Sequence, residues 1–152
     1  NNDPSACYPS AVLALGATIT TNQRSISSDD YFVGMFETAL SSNEIITQIS
    51  FPIPDKSSYI KFPNPASRYA MVGVFMAKTG NKINVAITGA SENGVFRSSE
   101  VENALTSNFT LESIDSLNIS SDGLISDIHA SSNYRANLIK EMAKKALKEI
   151  IT

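Results

Sequence analysis

Residues 45–53, "IITQISFPI", alternate between apolar and polar positions with a period of two. Such alternation is typical of a β-strand with one buried face, and we expect the strand to end at Pro52 and Pro54. Ile46 is the only large apolar residue on the polar face of this strand. The predicted buried face consists of Ile45, Thr47, Ile49, Phe51 and Ile53.

The segment before this strand predicts two helices and two short strands. The strands, "ATITT" and "RSIS", are joined by a turn at residues 22–23. The acidic pair at residues 29–30 follows two serines and suits the first turn of a short helix. Another helix is expected around residue 10, ending at Gly16. Its predicted apolar face consists of Ala11, Val12 and Leu15.

The second half of the chain predicts a hairpin followed by helices. The segment "DKSS" at residues 55–58 is polar and interpreted as a linker. Residues 70–77, "AMVGVFMA", are apolar on both faces, which is typical of a central strand. A turn at residues 79–81 leads into a second strand, "KINVAITGA". Three helices are then expected, at about 98–106, 110–116 and 131–151. This order favours an α+β fold built on an antiparallel sheet.

The last predicted helix is amphipathic. Its lysines, Lys140, Lys144 and Lys148, share the polar face, which we expect to be solvated, and Glu141 and Lys145 are spaced as a supporting i,i+4 pair. Docking of an acidic partner is the alternative for this face. The apolar stripe consists of Leu138, Ile139, Met142, Ala143, Ala146, Leu147 and Ile150.

Composition excludes several classes of function. The 152 residues carry a net charge of −3, and no basic face of the kind that binds nucleic acid is visible. The longest apolar run is eight residues, too short to span a membrane. The single cysteine, Cys7, excludes an internal disulfide and an intrachain Cys-rich metal site. A reducing, cytoplasmic location fits this composition best.

The residues alone reveal no catalytic constellation. His129 and Asp127 precede the last helix and are a possible general base and its partner, although a capping or surface role is the more ordinary interpretation. Cys7 has no identifiable histidine partner and is expected to be a small buried thiol. The segment "TGASENG" at residues 88–94 lacks the spacing of a phosphate-binding loop and is interpreted as a plain loop.

Four stretches of the chain together resemble one family. They are "NNDPSACYPSAVLALGATI", "DDYFVGMFETALSSNEIITQISFPIP", "YIKFPNPASRYAMVGV" and "DIHASSNYRANLIKEMAKKAL". In this order they resemble the FAD-binding (medium) subunit of molybdenum hydroxylases of the carbon monoxide dehydrogenase and xanthine dehydrogenase type. The third stretch matches the family's Y-x-K motif and the fourth its closing Ala-Ser-x-x-Tyr-Arg helix.

The resemblance implies an architecture and a role. Residues 1–54 would be the tail of an α+β FAD-binding lobe. Residues 55–152 would be a C-terminal domain with a three- or four-stranded antiparallel sheet and three helices on one side. The family's two glycine loops for the FAD pyrophosphate have no counterpart here, so the chain looks like a C-terminal fragment that holds no FAD by itself. In the family, FAD in this subunit takes electrons from a 2Fe-2S small subunit, which serves a molybdenum-cofactor large subunit, and passes them to an acceptor.

Three residues fall where family members contact the flavin. Ile46 matches an apolar position near the isoalloxazine ring, and Tyr69 matches an aromatic position that covers the ring. Lys61 matches the Y-x-K lysine, which would bond a flavin carbonyl and favour the negative charge of the reduced ring. Cys7 and Arg68 depart from the family pattern, since many members have an acidic residue at each position.

Ordinary structural roles are the alternative for all three residues. Ile46 would then be a core residue, Lys61 a charge at the strand edge and Tyr69 an anchor of the hairpin. An alternative function also remains open, in which the chain is a non-catalytic module that docks a partner subunit and never binds FAD.

Overall fold

The computed structural model describes residues 2–152, which form five helices and nine strands. In chain order they are α1 (Tyr8–Ala14), β1 (Thr18–Thr21), β2 (Ser25–Ser27), α2 (Ser28–Tyr31), β3 (Phe32–Gly34), β4 (Glu37–Thr38), β5 (Ile46–Ser50), β6 (Lys56–Pro63), β7 (Ala70–Thr79), β8 (Lys82–Thr88), β9 (Phe96–Arg97), α3 (Ser99–Ser107), α4 (Leu111–Asp115) and α5 (Ser132–Ile151).

The main sheet is antiparallel, with four strands in the order β6-β7-β8-β9. Ile60, Val74 and Ile87 are aligned across its three long strands, so they share one face. The strand β7 lies between β6 and β8, and almost all of it is buried. The predicted α+β fold, the central strand and the hairpin are therefore confirmed.

The three C-terminal helices cover one face of this sheet. The helix α5 packs on β6 and β7, α3 packs on β8, and α4 packs on α5. Every residue of the predicted apolar stripe of α5 is buried. Together with the sheet residues Val72, Val74, Met76, Val85 and Ile87 it forms the largest core of the chain. All three predicted helices are confirmed within one or two residues at each end.

The first helix covers the other face of the sheet. Leu13 and Ala14 of α1 are buried against Ala77, Ala86 and Val95. The predicted apolar face of α1 is confirmed only in part: Val12 and Leu15 are half-buried and pack against core residues, but the fully buried apolar residues are Leu13 and Ala14. The helix is two turns long, so the period alone did not settle which side meets the sheet. Gly16 ends α1 as predicted, with a φ of +66°.

A second, three-stranded sheet has the order β2-β1-β5. The prediction that β5 has one buried face was wrong, because all five of its residues are exposed. Ile45 and Ile53, at the ends of the alternating pattern, have exposed fractions of 69% and 91%. The apolar pattern of this strand therefore covers no core formed by residues 2–152.

A bulge in β5 changes which of its residues share a face. Ile49 is opposite Ile19, but Ile46, and not Thr47, is opposite Thr21. Since Ile19 and Thr21 point to the same side of β1, Ile46 and Ile49 lie on one side of the sheet. The predicted separation of these two isoleucines onto opposite faces was wrong.

Two further predictions need correction. The expected linker at residues 55–58 lies mostly within β6, which starts at Lys56 and pairs with β7. The lysine face of α5 is not wholly solvated, because Lys140 and Lys144 contact the end of α4 and the residues that follow it. The acidic neighbour Glu141 pairs with Lys144, and the predicted pair with Lys145 is not among the ion pairs of residues 2–152.

Asn2 connects the start of the described chain to β3 and to the loop between β8 and β9. Its side chain is completely buried and donates to the carbonyl oxygens of Gly34 and Asn93, and it accepts from the Val95 N–H. A Cβ at Gly94 would meet this amide at 2.4 Å, which explains the glycine there. No helix within residues 2–152 is long and apolar enough to cross a bilayer.

Candidate functional site

Lys61 lies on the face of the main sheet that α1 covers. Its neighbours Ile60 and Phe62 pack against the core between the main sheet and the C-terminal helices. Because successive side chains of a strand point to opposite faces, Lys61 and Tyr59 point to the other face of the sheet. The Lys61 ammonium donates to the carbonyl oxygen of Arg68 at 3.1 Å and contacts the sulfur of Cys7 at 3.6 Å. An ammonium group has three donors, so one remains without a partner among residues 2–152.

Tyr69 lies at the end of a tight loop beside Lys61. The Asn64 side chain accepts from the N–H groups of Ala66 and Ser67, and the Asn64 N–H donates to the carbonyl oxygen of Tyr69. Arg68 has a φ of +65°, a conformation that costs free energy for a side chain of this kind. The Tyr69 side chain is 64% exposed and follows directly after the Arg68 carbonyl that accepts from Lys61.

Ile46 also lies beside the start of α1. It lines an apolar cavity of about 120 Å³ with Tyr8, Pro9, Val12 and Ile49 among its neighbours. Tyr8 is 85% exposed and follows Cys7, which contacts Lys61. A shared cavity, chain adjacency and the contacts of Lys61 thus link five residues, which we call the candidate face: Ile46, Tyr8, Cys7, Lys61 and Tyr69.

The sheet beneath Cys7 is shaped by a glycine. A Cβ at Gly73 would lie 2.5 Å from the Tyr59 hydroxyl oxygen, so only glycine leaves room for this phenol. Burial and the neighbouring Cys7 raise the pKa of Tyr59, which is therefore a neutral phenol at physiological pH. The predicted small buried thiol is half-buried in the structure and is not in a disulfide.

The chemistry of the candidate face suits a planar, partly apolar ring with carbonyl groups. Tyr69 and Ile46 offer exposed aromatic and aliphatic surface, and Lys61 offers a charged donor. A cation beside a carbonyl stabilises negative charge that develops on the ring. The residues present therefore fit the isoalloxazine ring of a flavin.

His129 and Asp127 do not form a general-base pair. The Asp127 carboxylate accepts from the backbone N–H groups of His129 and Ala130, and its other oxygen accepts from Arg135 at 2.8 Å. Burial opposes ionisation of Asp127, but these two N–H groups and then the Arg135 guanidinium lower its pKa overall. The carboxylate is thus a partner of Arg135 rather than of the His129 imidazole.

Arg135 is the polar residue that sequence reasoning missed. It is only 4% exposed and lies three residues before Leu138, on the same side of α5 as the apolar stripe. A charged residue on a buried stripe requires buried partners. That signal was available in the sequence, but its partners, Met71, Gly89 and Asp127, lie on three separate segments.

Comparisons with known proteins agree with this geometry. Residues 1–54 match the model of the FAD binding domain in molybdopterin dehydrogenase. The glyceraldehyde dehydrogenase medium chain of Sulfolobus acidocaldarius is 32% identical over 99% of this chain. The chain is similar over almost its whole length to the medium subunit of a molybdenum hydroxylase. The predicted resemblance is therefore confirmed.

Further relatives of this medium-subunit homologue agree with that assignment. It is 28% identical to the nicotine 6-hydroxylase medium subunit of Paenarthrobacter nicotinovorans over 98% of its length. It is 24% identical to the carbon monoxide dehydrogenase medium chain of Hydrogenophaga pseudoflava over 82% of its length. The crystal structure of quinoline 2-oxidoreductase from Pseudomonas putida 86 shares its fold over 98% of the chain, with a TM-score of 0.79 and 22% identity.

The relatives are longer than this chain. It spans 58% of the Sulfolobus protein, 57% of the Paenarthrobacter protein and 47% of the Hydrogenophaga protein. It spans 57% of the quinoline oxidoreductase chain. The chain therefore corresponds to about half the length of each of these proteins.

Proposed function

We propose that this chain belongs to a subunit that binds FAD and relays electrons from an iron–sulfur subunit to an acceptor. The candidate face is the observation that carries the proposal, because it joins an aromatic, an apolar and a cationic residue on the family's FAD-binding subunit. FAD supplies hydride and single-electron transfer when it is bound. The chain's own residues position the ring and set its electrostatic surroundings.

Each residue of the candidate face has a proposed task. Lys61 directs its unpartnered N–H to a carbonyl of the ring, and Tyr69 covers one side of the ring with its exposed phenol. Ile46 supplies an apolar contact to the edge of the ring that lies near Tyr8. Cys7 contacts the Lys61 ammonium, so it orients the lysine.

The proposed contacts reach only the ring part of the cofactor. We therefore expect the 152-residue chain to bind free FAD weakly, because the adenine and the phosphates gain nothing from these residues. Residues 1–54 are the proposed part of the FAD-binding lobe, and residues 55–152 the proposed C-terminal domain. The proposed partners are the molybdenum-cofactor large subunit and the 2Fe-2S small subunit.

FAD binding by a subunit that contains this chain tests the proposal. Tyr69→Ser should raise the fluorescence of bound flavin or weaken its binding several-fold, since ring stacking is lost. Tyr134→Ser is the matched control, because Tyr134 is another exposed tyrosine, 44% accessible, whose ring packs on Phe62 and is not part of the candidate face. Identical FAD binding by the two variants would contradict the role of Tyr69. A subunit that assembles with its partners without any FAD would favour the docking module.

A further inference from the structure

The strand β6 forms one edge of the main sheet, because the strand order is β6-β7-β8-β9. Its pairing with β7 is regular over seven successive residues, from Lys56 opposite Lys78 to Phe62 opposite Val72. An edge strand of this kind presents a row of backbone N–H and C=O groups that can pair with another chain. The register of the sheet identifies the residues that carry these groups.

The backbone of Ile60 faces β7. In an antiparallel sheet, the backbone groups of successive residues face the two neighbouring strands in turn. The carbonyl oxygen of Val85 accepts from the N–H of the residue that follows β9, so the next residue, Ala86, faces β7. Ala86 is opposite Phe75, so Val74 faces β6, where its partner is Ile60. The residues on either side of Ile60 therefore face outward.

Three residues of β6 thus have outward-facing backbone groups: Ser57, Tyr59 and Lys61. Their N–H groups have no hydrogen-bond partner among residues 2–152. An extended chain laid along β6 would gain main-chain hydrogen bonds from all three residues, and such bonds provide the affinity when a peptide joins a sheet. Its side chains would point alternately toward the face that α5 covers and toward the face that α1 covers.

An open groove of about 560 Å³ lies beside this edge, on the face that α5 covers. Its lining is largely apolar, because the aliphatic stems of two lysines contribute to it. Both ammonium groups are exposed and form no ion pair among residues 2–152. The one carboxylate side chain, of Glu149, accepts from the Ser58 hydroxyl. The groove is lined by Ile60, Lys145, Lys148, Glu149 and Thr152.

The charges at this edge favour an acidic chain. Lysines on an edge strand oppose pairing with a chain of like charge. A second copy of this chain would bring its own Lys61, and the lysines of its own groove, to the same edge. Like charges that face each other across two strands destabilise the pair, whereas opposite charges stabilise it. A partner with carboxylates therefore fits the edge better than a second copy does.

We propose that the outer edge of β6 binds an extended acidic segment of a partner protein as a fifth strand of the main sheet. The backbone of the segment pairs with the three outward-facing residues. An apolar side chain of the segment lies against Ile60, and the acidic side chains before and after it pair with Lys145 and Lys148. Exposed ion pairs add little affinity, so the lysines select the partner and the main-chain hydrogen bonds hold it. This surface does not depend on flavin binding at the candidate face.

Titration of the isotope-labelled 152-residue chain with a blocked heptapeptide, followed by NMR, tests the proposal. The peptide has glutamate, valine and glutamate at its second, fourth and sixth positions and threonine elsewhere. We expect saturable binding and slower hydrogen exchange at the N–H groups of Ser57, Tyr59 and Lys61. Exchange at Ser58 and Ile60 should not change, because these residues already pair with β7. The same peptide with lysine in place of glutamate should bind at least tenfold more weakly.

Three results of this titration would overturn the proposal. Unchanged exchange at the outward-facing residues would show that the peptide does not add a strand. Equal binding of the two peptides would show that charge does not select the partner. Exchange that slows as the protein concentration rises, without any peptide, would assign the edge to a second copy of the chain.

Two substitutions of Ser57 separate strand pairing from charge attraction. Ser57→Pro removes an outward-facing N–H, and proline is tolerated at such edge positions because the pairing with β7 does not use that group. Ser57→Ala keeps the N–H and is the matched control. We expect the proline variant to bind the glutamate peptide several-fold more weakly and the alanine variant to bind it normally, with folding of both checked by their N–H spectra. Equal binding by the two variants would contradict strand pairing.

A pair of lysine variants tests the groove. Lys148→Gln should weaken binding of the glutamate peptide several-fold, because it removes one of the two free ammonium groups. Lys82→Gln removes the same charge from an exposed position on β8, which β7 separates from β6. This control should bind the peptide as tightly as the unmodified chain. Equal affinities of the two variants would show that the groove lysines do not select the acidic segment.

Discussion

The ammonium nitrogen of Lys61 lies 3.6 Å from the sulfur of Cys7, although 54 positions separate them in the chain. Lys61 belongs to the edge strand β6 of the main sheet, and Cys7 is the residue before α1. The contact therefore joins the region that matches the FAD-binding domain to the sheet that follows it. Lys61 also donates to the Arg68 carbonyl oxygen, so its ammonium links the start of α1 to the loop between β6 and β7.

Lys61→Met should lower the reduction potential of FAD in a subunit that contains this chain. The reason is that a cation beside the ring stabilises the negative charge of its reduced form. A shift of tens of millivolts is the expected scale, because about 30 mV corresponds to about 1.4 kcal/mol for a two-electron couple. Potentiometric titration followed by absorbance measures it. Lys82→Met removes an exposed charge from the start of β8 and should leave the potential unchanged. Equal potentials in both variants would make Lys61 a plain strand-edge charge.

Met142→Ala should lower the free energy of unfolding by about 2–5 kcal/mol. Met142 is 3% exposed and belongs to the core between α5 and the main sheet, so its removal leaves a cavity. Urea denaturation followed by circular dichroism measures the change. Lys145→Ala, an exposed position on the same helix, should stay within about 0.5 kcal/mol of the unmodified chain. A similarly small effect of Met142→Ala would show that the core collapses to fill the space.

Lys140→Met should lower the free energy of unfolding by about 1 kcal/mol, more than Lys148→Met. The Lys140 ammonium donates to the carbonyl oxygens of Asp115 and Leu117 at 2.5 and 3.0 Å, so it fixes the end of α4 against α5. Lys148 is exposed and serves as the matched control on the same helix face. Thermal denaturation of both variants compares them. Equal melting temperatures would restore the original expectation of a wholly solvated lysine face.

The stability of the chain should fall as the pH drops from about 4.5 toward 2. Hydrogen bonds from Arg24 and from the backbone N–H of Ser41 lower the pKa of Glu44 from 4.5 to about 2. A carboxylate with a depressed pKa stabilises the folded state above its unfolded pKa and loses that effect as it is protonated. Glu44→Gln should therefore be less stable at neutral pH and show a smaller loss across this range. Urea unfolding at a series of pH values measures how the free energy of unfolding of each protein depends on pH. Parallel curves for the Glu44→Gln variant and the unmodified chain would contradict the role of Glu44.

The local pattern of the sequence determined most of the second half of the fold. Two signals were strong: the stripe of α5 repeats its helical period several times, and the unbroken apolar run "AMVGVFMA" of β7 requires a strand that is covered on both faces. The resemblance of four stretches was enough to predict the similarity to molybdenum hydroxylase medium subunits that the comparisons confirm. The assignments of Ile46, Lys61 and Tyr69 to flavin contact, and the division between residues 54 and 55, stay predictions.

Only the tertiary structure decided how the segments meet. The bulge in β5 places Ile46 on the side of Ile49, and a period of two cannot reveal one extra residue in a strand. The buried Arg135 could be suspected from its place on an apolar stripe, but its partners Met71, Gly89 and Asp127 come from distant segments. Periodicity in the sequence reports which side of one element is apolar. It carries no information about which other element covers that side, because that choice is set by long-range packing and hydrogen bonding.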